Sequence, residues 1–134
     1  MQASVKWIDD MRFVATSGSG HSVVMDGDQG RHGPSPMEMV LMAAGSCSSV
    51  DVVGILEKAR QPVWSCEVEL SAERADSTPA VFTRIHMRFI ITGAGVSEKH
   101  VERAVKLSAD KYCSVSIMLG HSVEVSHDFE IRED

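Results

Sequence analysis

The chain opens with short runs in which apolar and polar residues alternate. Ala3, Val5 and Trp7 interleave with Ser4 and Lys6, and further runs cover about Arg12–Thr16 and Ser22–Asp26. Asp9-Asp10 and Ser17-Gly18-Ser19-Gly20 read as the turns between them. A period of two sends successive side chains to opposite faces, so three short strands are predicted. Gly27 to Ser35 follows as a loop rich in Gly, Asp and Pro. Pro36 suits the first turn of a helix, where its missing N–H costs nothing, and Ser35 is the candidate N-cap. The helix is predicted to run to about Arg60, ended by the Gln61-Pro62 step. Its first half is apolar nearly all round, as in a helix buried on every side or placed between two subunits.

Two longer alternating stretches come next. Trp64, Cys66, Val68, Leu70 and Ala72 share one face of the first. Val81, Thr83, Ile85, Met87, Phe89 and Ile91 share one face of the second, with Arg84, His86 and Arg88 opposite. Asp76-Ser-Thr-Pro79 joins them, which predicts an antiparallel hairpin. Ser97 and Glu98 open a second helix with Val101, Ala104, Val105 and Ser108 on one stripe, ending near Cys113. Ser114–Leu119 reads as a further helical turn stopped at Gly120, and a last strand aligns Val123, Val125, His127, Phe129 and Ile131. The order βββ-α-ββ-α-β predicts one α+β domain over residues 1–134, with an antiparallel sheet packed on two main helices. One subunit of 134 residues cannot easily cover both a one-faced sheet and an all-round apolar helix. A homodimer with its long helices between two sheets is therefore expected.

Composition narrows the function. A net charge of −6, from 13 basic and 19 acidic residues, argues against nucleic acid as a partner, which needs concentrated Lys and Arg. The longest apolar run is interrupted by Glu38 and small polar residues, so no membrane span is expected. Met1-Gln-Ala-Ser-Val-Lys-Trp7 lacks the basic-then-apolar order of a signal peptide, and a cytoplasmic location is expected. Three cysteines there default to reduced thiols, and a disulfide would be transient and catalytic rather than structural. None of the six histidines stands in metal-ligand spacing, so no metal is expected. Gly18-x-Gly20 lacks the third glycine and the helix of a dinucleotide fingerprint, and no cofactor is expected. Asp26-x-Asp28 resembles the start of a calcium loop, but Arg31 and Met37 stand where that loop needs Gly and Glu; both stretches are read as turns.

The candidate chemistry lies in two thiols on two helices, Cys47 and Cys113. Small residues beside Cys47, Ala43 and Ala44, leave room for a bound molecule or permit close helix packing. Met37, Met39 and Met42 could line an adaptable apolar pocket or belong to plain core. Cys66 falls between Trp64 and Val68 on a dry strand face and reads as a structural thiol, while His127 reads as a core or interface residue. Glu38 and Cys47 are nine positions apart, about 900° at about 100° per residue, and so face opposite sides of one helix. If both serve one site, Glu38 reaches the partner subunit's Cys47.

Several motifs carry a resemblance over nearly the whole chain: Ser35-Pro36-Met37-Glu38 at the entry to the long helix, Ala-Ala-x-x-Cys47 at its centre, and Cys113 followed by Ser-Val-Ser. With the element order, they resemble the OsmC/Ohr family of thiol-dependent hydroperoxide reductases. Within it, Pro-Ser-Pro-Met-Glu-Met-Val-Leu-Met-Ala-Ala-Gly and Lys-Tyr-Cys-Ser-Val are similar to the small OsmC-like subgroup typified by the YhfA proteins. The resemblance implies an intertwined homodimer. It makes Cys47 the peroxidatic thiol, Cys113 the resolving thiol and Glu38 the acid that holds a catalytic arginine. An organic hydroperoxide would oxidise Cys47 to a sulfenic acid, Cys113 would convert it to a disulfide, and a dithiol, often a lipoyl group, would reduce it.

The activating shell is less defined. Arg12 and Arg31 are the candidates for the arginine, neither in a motif that fixes it. Asp51, one turn after Cys47, would disfavour a thiolate by like charge, hold a cation, or accept a hydrogen bond from Ser48. A peroxidase is the leading expectation. The alternative is a non-catalytic redox sensor or apolar-ligand binding module on the same fold.

Overall fold

The computed structural model describes residues 1–134. Strands β1 (Ala3–Asp9), β2 (Arg12–Ser17) and β3 (Ser22–Asp26) precede helix α1 (Pro36–Lys58) and strands β4 (Val63–Arg74) and β5 (Phe82–Gly93). Helices α2 (Glu98–Leu107) and α3 (Ser114–Leu119) are joined by a π-helical turn over Ser108–Tyr112, and β6 (Glu124–Glu133) ends the chain. The class is mixed α+β in the order predicted. The strands form two three-stranded sheets, β1-β2-β3 and β4-β5-β6. Contacts divide the chain into two units, Met1–Val40 and Leu41–Asp134.

The first unit is an antiparallel meander. Trp7 pairs with Phe13 and Phe13 with Met25, so their side chains share one sheet face. The β1–β2 turn places Asp10 at φ 43, a conformation Asp tolerates. Arg12 closes the turn with two bonds to the Asp9 carboxylate, at 2.7 and 2.5 Å. Buried Asp26 then organises the following loop: its carboxylate accepts the backbone N–H of Asp28 at 2.7 Å and of His32 at 2.9 Å. These bonds hold its pKa below the ordinary carboxylate value, the Asp28 amide contributing most. At the loop's end Ser35 N–H donates to Glu38 Oε1 at 2.9 Å while Glu38 N–H donates to Ser35 Oγ at 3.2 Å. This reciprocal capping box satisfies orphan donors at the start of α1. Gly30, at φ 71, lies so close that an added Cβ would sit 2.6 Å from Glu38 Oε1.

The second unit is built on β5, the central strand of its sheet. Ile85, Met87, Phe89 and Ile91 of β5 are buried, as are Ala44, Val52 and Leu56 of α1 and Val101, Ala104 and Val105 of α2. Each large apolar side chain contributes about 1.5–3 kcal/mol on burial. α1 lies against β4 at Gly45, where an added Cβ would come within 2.7 Å of Leu70 and 2.9 Å of Val68 side-chain atoms. α1 ends two residues before the predicted Arg60, which takes φ 57. There Arg60 N–H bonds Glu57 O and Gln61 N–H bonds Leu56 O, the paired bonds of a left-handed helix stop. Gln61 also accepts the Ser97 N–H at 2.8 Å and so pins the entry to α2.

Three features differ from the sequence expectation. The sheet of the second unit is not wholly antiparallel: β6 runs parallel to β5, because the helical crossover from β5 returns the chain to the same end of the sheet. Register shifts at Val63/Ser65 and at Glu73/Arg74 invert the alternation at the hairpin's ends. Trp64, Val81 and Thr83 are therefore exposed, and Phe82 is buried in their place. The π-turn ends α2 at Leu107, six residues before Cys113.

α1 has the length and apolar content of a membrane span, and 28% of its most apolar stretch is buried in the single chain. Two of its polar side chains bond the second helical segment, Ser48 with Cys113 and Asp51 with Ser108, and Ser49 bonds Gly45 O of its own helix.

Two measurements test this architecture. Because folding depresses the Asp26 pKa, its stabilisation is complete above the ordinary carboxylate value and is lost as pH falls through the depressed one. Asp26→Asn is expected to destabilise the protein in urea at neutral pH, with the gap from wild type narrowing in acid. Gly93→Ala would place a Cβ 2.1 Å from Pro62 O, a backbone atom that cannot yield cheaply. Denaturant titration is expected to show a loss of about 1–3 kcal/mol.

Candidate active site

Cys47 and Ser48 are adjacent on α1. Cys113 arrives from the far end of the second helical segment, delivered by the π-turn. Its N–H bonds Ser108 O at 2.8 Å, closing the wide turn, and it leaves the helix at φ −74, ψ 100 as the N-cap of α3. A regular α-helix through Cys113 would have pointed this side chain elsewhere; the extra residue in the turn aims it at α1.

The Cys113 sulfur is completely buried, accepts two hydrogen bonds and donates its own S–H to the Ser116 hydroxyl. Ser48 Oγ donates to it at 3.2 Å, the Ser116 Oγ lies 3.2 Å away, and the Ser116 N–H donates at 3.4 Å. The two hydroxyls are 3.4 Å apart. Burial pushes the Cys113 thiol up, but bonds from Ser116, Ser48 and Cys47 outweigh it and hold its pKa below the ordinary thiol value. Cys47 is half-buried, and its thiol is pushed up, first by burial and further by the neighbouring Cys113 sulfur. The Val115 and Ser114 amides partly offset this. Ser48, next to Cys47, touches the Cys113 sulfur, and each thiol shifts the other's protonation, Cys47 upward and Cys113 downward. Both are reduced.

Asp51 accepts a hydrogen bond from Ser108 Oγ at 3.0 Å, rather than from Ser48. It lines an open cavity of about 560 Å³ with Val50, Ile55, Lys58, Arg103 and Tyr112, beginning one turn beyond Cys47. The other candidates fall as follows. Arg12 is bound to Asp9, and Arg31 lies 3.7 Å from Asp28. Glu38 belongs to the first unit, where Ser35 is its partner. Met37 and Met39 are half-buried and Met42 is exposed, so none is the plain core of a single chain. Cys66 is half-buried, with burial pushing its thiol up, in keeping with a structural role. His127 is exposed in the single chain rather than in a core.

Sequence reasoning named Ser48 as a partner for Asp51 and Ser108 on a helix stripe, but missed Ser48 and Ser116 as partners of Cys113 and Ser108 as the partner of Asp51. Their signal was present: each is a serine on an otherwise apolar helical face, and Ser116 stands three residues after the N-cap position. It also missed the capping box, although Ser35-x-x-Glu38 has that spacing. Mild oxidation with diamide is expected to join Cys47 to Cys113 within one chain and leave Cys66 free. Peptide mapping without reductant would show this, and a Cys66 linkage would contradict the geometry.

The family model described as OsmC-like protein matches residues 27–128. The chain is 53% identical over 131 residues to the YhfA protein of Escherichia coli strain K12, covering 98% of each. It superposes on the crystal structure of a hypothetical protein from Aquifex aeolicus VF5 with a TM-score of 0.90 at 31% identity, covering 99% of this chain and 96% of that one. The organic hydroperoxide resistance protein OhrB of Bacillus subtilis shares the fold, with a TM-score of 0.63 at 13% identity over 97% of this chain and 98% of its own.

Proposed function

The chain belongs to the OsmC-like protein family, and on that footing we propose that it is a thiol-dependent peroxidase reducing organic hydroperoxides through Cys47 and Cys113. The observation that carries this reading is the 3.2 Å bond from Ser48 Oγ, the residue next to Cys47, to the Cys113 sulfur, which brings free thiols from distant segments to one place. Half-buried Cys47 meets the peroxide and becomes a sulfenic acid. Buried Cys113 attacks that sulfur to form a disulfide, and a dithiol or lipoyl-type reductant restores both thiols. The name of the Bacillus subtilis relative, an organic hydroperoxide resistance protein, supports the substrate class.

In this reading residues 1–134 act as one domain of a cytoplasmic homodimer. The dimer is supported by apolar surface left open on the single chain, with Val5 and Trp7 of β1 66% and 62% exposed and Val50 of α1 71% exposed. Glu38 holds the activating arginine, Arg12 or Arg31. Its capping bond occupies only Oε1, and its half-turn offset from Cys47 points it towards a partner subunit's site. A second reading, a redox sensor or apolar-ligand module, is favoured by one observation: burial keeps the Cys47 thiol above its ordinary value.

Purified protein mixed with cumene hydroperoxide and dihydrolipoamide is expected to consume peroxide catalytically, and Cys47→Ser to abolish turnover. Turnover surviving that substitution would overturn the peroxidase. Stoichiometric thiol loss without turnover would make the protein a sensor, and unreactive thiols with a ligand retained from the cell would make it a binding module.

A further inference from the structure

The polar cluster between α1 and the π-turn is costly unless it is used. Ser48, Ser108, Cys113 and Ser116 are all at most 5% exposed, and alanine would fill the serine sites more cheaply. A buried helical serine usually satisfies its hydroxyl on the preceding turn, as Ser49 does by bonding Gly45 O at 2.8 Å. Ser48 instead reaches across to donate to the Cys113 sulfur, which also accepts the Ser116 N–H, while the Ser116 hydroxyl accepts the thiol S–H and is free to turn and donate once that proton has left. Donors converging on one sulfur favour its anionic form. Asp51, on the same helix, is tied to Ser108, while Asp110, Lys111 and Tyr112 of the π-turn are exposed. Cys47, next to Ser48 on α1, is the titratable residue placed beside this sulfur.

We propose that Ser48 and Ser116 are positioning residues that hold the Cys113 sulfur as an anionic acceptor beside Cys47, so that Cys113 serves as base before it serves as resolving thiol. The catalytic half of this proposal rests on the peroxidase reading. The Cys47 S–H gives its proton to the Cys113 thiolate. The new Cys47 thiolate attacks the outer oxygen of ROOH, the O–O bond breaks, and Cys47 becomes S–OH. The departing RO⁻ takes the proton back from Cys113 and leaves as ROH. The regenerated Cys113 thiolate then attacks the Cys47 sulfur, forming the S–S bond and expelling hydroxide. In sum, one thiol, one thiolate and ROOH give a disulfide, ROH and OH⁻. The base on Cys113 would supply what a thiol raised by burial lacks.

The test has two readouts. Thiolate ultraviolet absorbance is followed against pH in full-length Cys47→Ser/Cys66→Ala protein, where Cys113 alone titrates. Adding Ser48→Ala or Ser116→Ala is expected to cut the Cys113 thiolate fraction near neutral pH by about tenfold, the weight of one hydrogen bond to a charged group. Ser116→Thr, which keeps the hydroxyl, is expected to restore it. Midpoints unmoved by both alanine variants would overturn the proposal, and either variant suffices should the other fail to fold. In the otherwise native chain, single-turnover formation of Cys47 sulfenic acid with cumene hydroperoxide, read by dimedone trapping and mass spectrometry, is expected to slow by a similar factor and recover as pH rises. Native rates in both variants, or a loss that pH does not repair, would overturn the role as base. Should the native protein itself fail to turn over, the peroxidase reading falls, while the titration still decides whether the serines hold the thiolate.

Discussion

The wide turn at Ser108–Tyr112 is the constraint on which the candidate site depends. One N–H, that of Cys113, skips a residue to reach Ser108 O, and the chain leaves helical geometry at that point. The result is a side chain aimed across to α1 instead of along its own helix. Ser48 and Ser116 then share a single sulfur beside Cys47's turn of α1, and Ser108, at the root of the same wide turn, also ties down Asp51. The turn therefore sets the positions of both thiols' partners.

Around that contact the second unit provides rigidity. β5 is buried along most of its length and flanked on both edges, and α1 and α2 contribute Val52, Leu56, Val101 and Val105 to the same core. Gly45 lets α1 settle onto Val68 and Leu70. A site assembled on such elements holds its geometry better than one carried on loops. Both Cys47 and Cys113 lie within the region that the OsmC-like family model covers.

The electrostatics differ from the simplest expectation. An activated nucleophile is usually sought in the more acidic thiol, yet here the buried Cys113 carries the lower pKa and the more accessible Cys47 the higher. Burial opposes the charge in both. Hydrogen bonds reverse the balance at one sulfur only, because serine hydroxyls cost less to bury than a cation and still favour the anion. The two arginines considered from sequence are each paired with an aspartate close by in the chain, Asp9 and Asp28.

Periodicity alone placed every strand and the start of each long helix, because alternation and helical stripes are local consequences of which face is dry. It also singled out Cys47 and Cys113, since thiols are recognisable wherever they stand. Glu38 was legible as a residue of interest through the family resemblance, while its spacing from Ser35, that of a helix cap, went unread. Three things needed the third dimension. The two register shifts exchanged Trp64, Val81 and Thr83 for Phe82, since a strand's phase at its ends is set by the strand beside it. The parallel course of β6 followed from where the helical crossover returned the chain. The serines around Cys113 became partners only when a π-turn, invisible to a period of 3.6, brought residues about 65 positions apart into contact. Local pattern determines which faces are apolar; only packing decides which polar atoms meet across them.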